Sequence, residues 1–257
     1  MNKNIFIITA LSALLALPCI AQEDDIDFSA DRPGMTTNPD VMPKNKLMWE
    51  AGLEFENDRI DGDAVNTFNY HNSLFRYGLT DYAELRFAFA ASHTYIKGGD
   101  NYGGISDLSL GTKVKIYDGY RALPKVAMLA ELYLPGGDDH NYLPQHVGTN
   151  LHLAFSNEIT SWLSLGYDVG MVWSGYSDED HATTFGSINL NFVPADKACI
   201  FIEEYNFWNH DINQNMIEFG GTYMVSRRVQ LDAYADMDLR HFGNYINVGL
   251  GVSWRIL

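Results

Sequence analysis

Imidazole and carboxylate sit side by side three times in this chain, as Asp139-His140, Asp180-His181 and His210-Asp211, with His93 and His241 in or beside two further turn-rich stretches. Both groups are ligands of divalent cations. Within any one stretch the chelating spacing is absent, so no metal site is assigned to them and ordinary polar surface residues explain them. His152 and Ser156 stand four apart, the start of a hydrolytic pair, on a face taken below to point inward, where satisfied polar groups are the reading. The chain has no Gly-x-Ser-x-Gly elbow, no His-Glu-x-x-His, no Cys-x-x-Cys and no phosphate-cradling glycine loop. Nothing near Cys199 in sequence lowers a thiol pKa. No catalytic residue, metal or cofactor is therefore assigned.

The remaining chemistry is charge. Asp and Glu number 33 against 17 Lys and Arg in 257 residues, a formal charge of -16. A phosphate backbone would be repelled, which removes nucleic acid as a partner. A 46% hydrophobic content excludes disorder, and 13% aromatics beside 22 Gly and 8 Pro favour strands and turns.

The elements that position these charges are strands. In Leu47-Met48-Trp49-Glu50-Ala51-Gly52-Leu53-Glu54-Phe55-Glu56 every odd position is apolar and three even positions are Glu, the period of a strand with one dry and one wet face. The pattern recurs to the C-terminus. Ala83, Leu85, Phe87 and Phe89 oppose Glu84 and Arg86; Leu108 and Leu110 oppose Asp107; Val114 and Ile116 oppose Lys113 and Lys115. It breaks in three segments, Phe68–Leu79, Ala198–Phe207 and Met216–Val225, where facing stays open. Twelve strands between Leu47 and Leu257 result, an even number suited to an all-β, antiparallel, up-and-down transmembrane barrel of outer-membrane type. The links alternate, long at Asn57–Ala64, His93–Gly103, Gly136–His146 and Gly175–Ala182, short at Thr80–Asp81, Glu158–Ser161, Pro194–Lys197 and Ser226–Arg227, as such barrels require. Trp49, Trp162 and Trp254 fall on the tight-turn side and Trp173 and Trp208 on the long-loop side, where two aromatic girdles would lie. A water-soluble barrel fails because its apolar face would have to point inward.

The ends divide the chain. Residues 1–22 carry Lys3, an apolar run from Ile5 to Leu17 and the small residue Ala21, the pattern of a cleaved secretory signal. Residues 23–45 lack alternation and hold Pro33-Gly34 and Asn38-Pro39; this stretch is expected as a periplasmic tail or plug, with Asp31 and Arg32 pairing with charges of the lumen. Residues 46–257 are the barrel.

Strand direction then sorts the inward residues by depth. Arg76, Arg86, Lys113, Lys115, Lys125 and Arg255 belong to the tight-turn end, with Glu50 and Glu84 among them. Glu54, Glu56, Asp107, Glu131 and Asp236 belong to the loop end, and Asp168, Glu218 and Asp232 lie nearer the middle. Inward charges either pair and close a barrel or line a path. Glu84 and Arg86, two apart on one face, are expected to pair in a ladder with Arg76.

Several stretches carry a resemblance. Ala30-Asp31-Arg32-Pro33-Gly34-Met35-Thr36-Thr37 followed by Leu47-Met48-Trp49-Glu50-Ala51-Gly52, then Arg76-Tyr77-Gly78-Leu79-Thr80-Asp81 with Glu84-Leu85-Arg86, Ser106-Asp107-Leu108-Ser109-Leu110-Gly111-Thr112-Lys113 and Val229-Gln230-Leu231-Asp232, in this order, resemble the outer-membrane family named for a meta-pathway of phenol degradation. The resemblance covers essentially the whole chain after residue 22. It implies a transmembrane barrel and an uptake role, with no catalytic set. The ending Trp254-Arg255-Ile256-Leu257 departs from the terminal aromatic residue common in such barrels. The expected function is an outer-membrane channel or transporter for small molecules or ions, partly occluded, because twelve strands lie between the filled eight and the open sixteen. A sealed surface-interaction barrel and a lipid-modifying barrel enzyme are the alternatives. Expected partners are outer-membrane lipid and lipopolysaccharide, the barrel-assembly machinery and the permeant.

Overall fold

The computed structural model describes residues 28–60, 63–136, 142–176 and 181–257. Residues 1–22, expected as a signal, residues 23–27, and the acidic stretches around Asp138-Asp139-His140 and Asp178-Glu179-Asp180 lie outside these residues.

Twelve strands form: β1 (Leu47–Ile60), β2 (Asp63–Thr80), β3 (Ala83–Ile96), β4 (Tyr102–Tyr120), β5 (Leu123–Tyr133), β6 (Gly148–Thr160), β7 (Leu163–Trp173), β8 (Thr183–Ala195), β9 (Ala198–Trp208), β10 (Asn213–Ser226), β11 (Val229–Asp238) and β12 (Tyr245–Arg255). Each pairs antiparallel with its neighbours in sequence, and β1 pairs with β12, so the sheet is a closed barrel without an edge. Closure satisfies every ladder hydrogen bond internally, the condition for a sheet to stand in hydrocarbon.

The period-2 pattern decides which face is which. Leu53, Leu85, Leu110, Leu132, Leu151, Val169, Ile188, Ile202, Phe219, Leu231 and Leu250 are all exposed on the outside, Leu53 at 56% and Leu250 at 63%. Inward stand Glu50, Arg76, Glu84 and Lys113, each at 0%. A globular protein in water shows the reverse arrangement; a lipid-facing band around a polar interior requires this one. Two of the three ambiguous segments resolve the same way: Phe201, Glu203 and Tyr205 of β9 and Met216 and Glu218 of β10 are buried, while Ile200, Ile202 and Phe219 are exposed.

The links sort to two ends. The connections 81–82, 121–122, 161–162, 196–197 and 227–228 are two residues each, and the longer ones lie at the opposite end. The expected first long loop, Asn57–Ala64, is instead a continuation of the β1–β2 ladder as far as Ile60 and Asp63, where Asn57 and Asn66 stand opposite each other and the Asn57 side-chain amide donates to Asn66 Oδ1 at 2.7 Å. The link between β4 and β5 is likewise a two-residue turn, Arg121-Ala122.

One residue predicted to line the lumen sits apart from the main cavity. In β4 the ladder to β3 is irregular opposite Ala88 and Ala90, with Ser109 and Ser106 in register, and Asp107 lies between them with a left-handed φ of 53°. Ser106 and Ser109 therefore take the buried inward positions, and Asp107 borders a small recess of about 80 Å³ with Tyr133, Tyr142 and Tyr176 rather than the main lumen. A bulge re-aims the side chain it inserts, and no periodicity count anticipates it.

Candidate functional site: the lumen and its internal segment

Residues 28–45 run inside the barrel at the end of the tight turns. The segment forms no strand; its one ladder contact is a parallel bridge between Lys44 and Gly78, flanked by Asn45 N–H donating to the Gly78 carbonyl at 2.8 Å and Gly78 N–H donating to the Lys46 carbonyl at 3.0 Å. Gly78 is required there, because a Cβ would stand 2.0 Å from the Pro43 carbonyl oxygen.

Instead of strand partners, the backbone donors of the segment meet carboxylates of the wall. Glu50 accepts from the amides of Asp31 (3.1 Å) and Arg32 (2.8 Å). Glu203 accepts from Met35 (3.1 Å) and Thr36 (2.7 Å), Asp168 from Thr37 (2.8 Å), and Glu84 from Met42 (2.7 Å). Four acids on four strands thus hold six amides. Where the acceptor is ionised such bonds are roughly twice as strong as neutral ones, so a segment with a single ladder bridge is still fixed in place.

Its carbonyls meet cations. Arg76 donates to the carbonyls of Ser29 (2.8 Å) and Asp40 (3.0 Å), and Lys113 to that of Asn38 (2.7 Å). The Asp31 carboxylate is the centre of this cluster, bonded to the Arg86 guanidinium, 2.9 Å from Lys113 Nζ and 3.4 Å from Arg76. Burial alone would raise its pKa, but Arg76, Lys113 and Arg86 outweigh this and hold Asp31 well below the usual carboxylate range. The wall's own pairs complete the network: Arg76 to Glu84 at 2.9 Å and to Glu50 at 3.0 Å, and Arg86 to Glu84 at 3.0 Å and to Glu131 at 2.9 Å. Arg76 and Arg86 are directly opposed across β2 and β3, an arrangement stable only because four acids surround it.

Arg32 extends the other way, to Asp232 at 3.1 Å and Glu54 at 3.6 Å. It lies over Gly52 and Gly251, which face each other across β1 and β12; a Cβ at either would approach the guanidinium within 2.5 Å. Two glycines thus make a notch of the guanidinium's width.

Three sequence candidates stand apart. Lys115 pairs with Asp118 at 2.6 Å and lies 5.8 Å from the Tyr82 ring at the turn rim, because a bulge follows it. Arg255 donates to the Arg227 carbonyl at 3.3 Å, beside the β10–β11 turn. Asp107 is displaced as described. In the other direction, Glu203 escaped selection: Ile200-Phe201-Ile202-Glu203-Glu204-Tyr205 gives two adjacent acids and inward aromatics, so alternation did not reveal which acid faces in. Glu204 faces out and accepts from Asn206 and Asn215, both at 2.8 Å. His152 and Ser156 do not meet: His152 stacks on Phe185 at 4.6 Å and borders the larger cavity, and Ser156 borders the smaller one. Of the Asp/His combinations, His241 bonds Asp238 at 3.1 Å, and among the described residues no group of three or more His, Cys, Asp and Glu converges on one point.

Two cavities flank the segment. The larger, about 670 Å³, lies toward the long loops and is lined by Glu54, Glu56, Glu131, Glu218 and Asp236 together with Tyr205, Tyr234 and Tyr245. The smaller, about 310 Å³, lies toward the tight turns beside Lys125, Ser156 and Asn191. Asp31, Arg32, Pro33, Thr36 and Thr37 touch both.

A closed twelve-stranded barrel with an apolar outer band and a charged interior defines an outer-membrane β-barrel protein. Residues 30–256 match the family described as "Putative MetA-pathway of phenol degradation", and the chain belongs to it. The fold is similar to the transport unit of the autotransporter AIDA-I from Escherichia coli (12% identity, TM-score 0.51, 98% of each chain). It is also similar to the translocator domain of the autotransporter NalP from Neisseria meningitidis (13% identity, TM-score 0.50, 82% of this chain and 88% of that one). The Ralstonia pickettii toluene transporter TbuX aligns at 10% identity and a TM-score of 0.48 over 82% of this chain and 90% of that one. At these identities the likeness is one of fold. No curated protein matches the sequence.

Proposed function

We propose that this protein is a channel for small solutes across the outer membrane, closed toward the periplasm by its own residues 28–45. The observation that carries the reading is the pair of cavities meeting one internal segment from its two sides. The wall residues Glu50, Glu84, Arg86, Lys113 and Asp168 act as the dock for that segment, and Glu54, Glu131, Glu218 and Asp236 line the path above it. Because the segment is held mainly by side chains of the wall and shares one bridge with the ladder, the barrel can remain closed on itself when the segment leaves. The excess of acidic residues at the loop end favours cations.

Conductance in a planar bilayer tests this. The full chain is expected to conduct rarely, and a variant lacking residues 23–42 to conduct steadily with cation preference. A tail-deleted barrel that folds and passes no current overturns the channel reading in favour of a sealed barrel.

A further inference from the structure

Four carboxylates of the wall stand in one register row. Glu203 of β9 is opposite Glu218 of β10, and Glu218 is opposite Asp236 of β11. Asp236 and Glu56 of β1 are both opposite Asn247 of β12. Like charges directly opposed on one sheet face repel, and burial without a compensating donor adds to the cost. Glu203 is compensated by the amides of Met35 and Thr36 and by Asn189 at 2.8 Å. Its neighbours in the row are each left with one oxygen unpartnered. Glu218 and Asp236 are each only 2% exposed, and Glu218 Oε1 and Asp236 Oδ1 have no hydrogen-bond partner. The second oxygen of Asp236 accepts from Asn247 at 2.9 Å. Arg32 is committed to Asp232 and Glu54, and Arg86 to Asp31, Glu84 and Glu131.

Beside this row the cavity wall is aromatic. Tyr205, Phe207, Met216 and Tyr245 border it, backed by Phe185, whose ring lies 5.1 Å from that of Phe207. An acidic row with two buried, unpartnered carboxylate oxygens beside ring faces, in a volume of about 670 Å³ that lies within the ~300–1,000 Å³ of small-molecule sites, defines a ligand by its chemistry. We propose that this cavity binds an organic cation, an ammonium group on a hydrocarbon or aromatic body. The head lies against Glu218 and Asp236, and the body lies on Tyr205, Phe207 and Tyr245, whose rings attract a cation as well as covering apolar surface. A metal ion fits the row poorly, because it demands several oxygens converging at about 2.0–2.6 Å and the described residues offer no such group of three. An ammonium accepts separated carboxylates.

This inference rests on the channel reading for its meaning as a permeant site, but binding is measurable without conductance. Titration calorimetry on the full-length protein in non-ionic detergent would use benzyltrimethylammonium, with benzyl alcohol, benzoate and calcium as comparisons. Saturable binding of the ammonium is expected, about tenfold or more tighter than benzyl alcohol, with no binding of benzoate. Glu218→Gln and Asp236→Asn should each weaken it about tenfold or more, and Glu204→Gln, the same charge change on the outer face, should leave it unaltered. Heat-modifiable migration in gels checks that each variant is folded, and the comparison among ligands on the unaltered protein needs no variant. Equal affinity for benzyl alcohol, tighter binding of calcium, or unchanged affinity in both folded variants overturns the proposal. Binding without conductance in the tail-deleted barrel overturns the channel and leaves the site.

Discussion

Asp31→Ala tests the docking of the internal segment at its most connected point. The carboxylate joins one tail residue to Arg86, to Lys113 at 2.9 Å and to Arg76 at 3.4 Å, and these partners are at most 8% exposed. Removing one member of a buried ion network typically costs about 3–5 kcal/mol. Here the three cations keep Glu50, Glu84 and Glu131, and water can follow the released segment, so the lower end applies, about 3 kcal/mol. At about 1.4 kcal/mol per decade this raises the undocked population roughly 100-fold. The barrel itself should lose far less, since its ladder does not pass through Asp31. Two assays read the change. Hydrogen exchange at the amides of Arg32, Met35, Thr36, Thr37 and Met42, which donate to wall carboxylates, should speed up by about that factor, because local exchange follows the opening equilibrium. In bilayers the frequency of openings should rise in parallel. Asp31→Asn should fall between, since the amide keeps one acceptor. If exchange at those amides is unchanged in Asp31→Ala, the cluster does not hold the segment and the reasoning fails.

Further expectations concern pH, the notch, facing and selectivity. Because Asp31 is held below the usual carboxylate range, its contribution is complete above the free-acid pKa of about 4 and fades only as pH falls toward its lower docked value; the difference in exchange between the unaltered chain and Asp31→Ala should be constant from pH 8 to 5 and shrink below about 4. Gly52→Ala puts a methyl group where Arg32 lies and should accelerate exchange at Arg32 and Met35 while the barrel still shows heat-modifiable migration; unaltered exchange would remove the notch from the account. Leu53→Lys, on the lipid face, should cost roughly 2–4 kcal/mol in urea unfolding from liposomes, whereas Glu56→Gln, facing the larger cavity and outside the Asp31 network, should cost much less, and equal losses would mean that the faces are reversed. Reversal potentials should show cation preference that weakens as added salt shortens the screening length from ~10 Å at 0.1 M; neutralising Asp178, Glu179 and Asp180 together should reduce it, and anion preference would contradict the charge placement.

Strand number, the lipid-facing side of most strands and the polarity of the lumen were legible in the sequence because each is a period-2 property. Leu53 and Glu54 declare opposite faces by adjacency alone, and closure of twelve strands follows from an apolar face that has nowhere else to go. The pairing of Glu84 with Arg86 was legible for the same reason, two residues being one repeat of the pleat. What alternation cannot encode is register between strands far apart in sequence and the local breaks in it. The bulge that turns Asp107 aside, the choice of Glu203 over Glu204, and the row from Glu203 through Glu218 and Asp236 to Glu56 depend on how five strands align, which only the closed barrel fixes. The course of residues 28–45 was likewise beyond reach of the sequence. Its charges suggested a dock, but the segment is held mainly by amides given to acids from strands as distant as β1 and β9, and backbone donors look the same at every residue until the tertiary structure brings an acceptor to them.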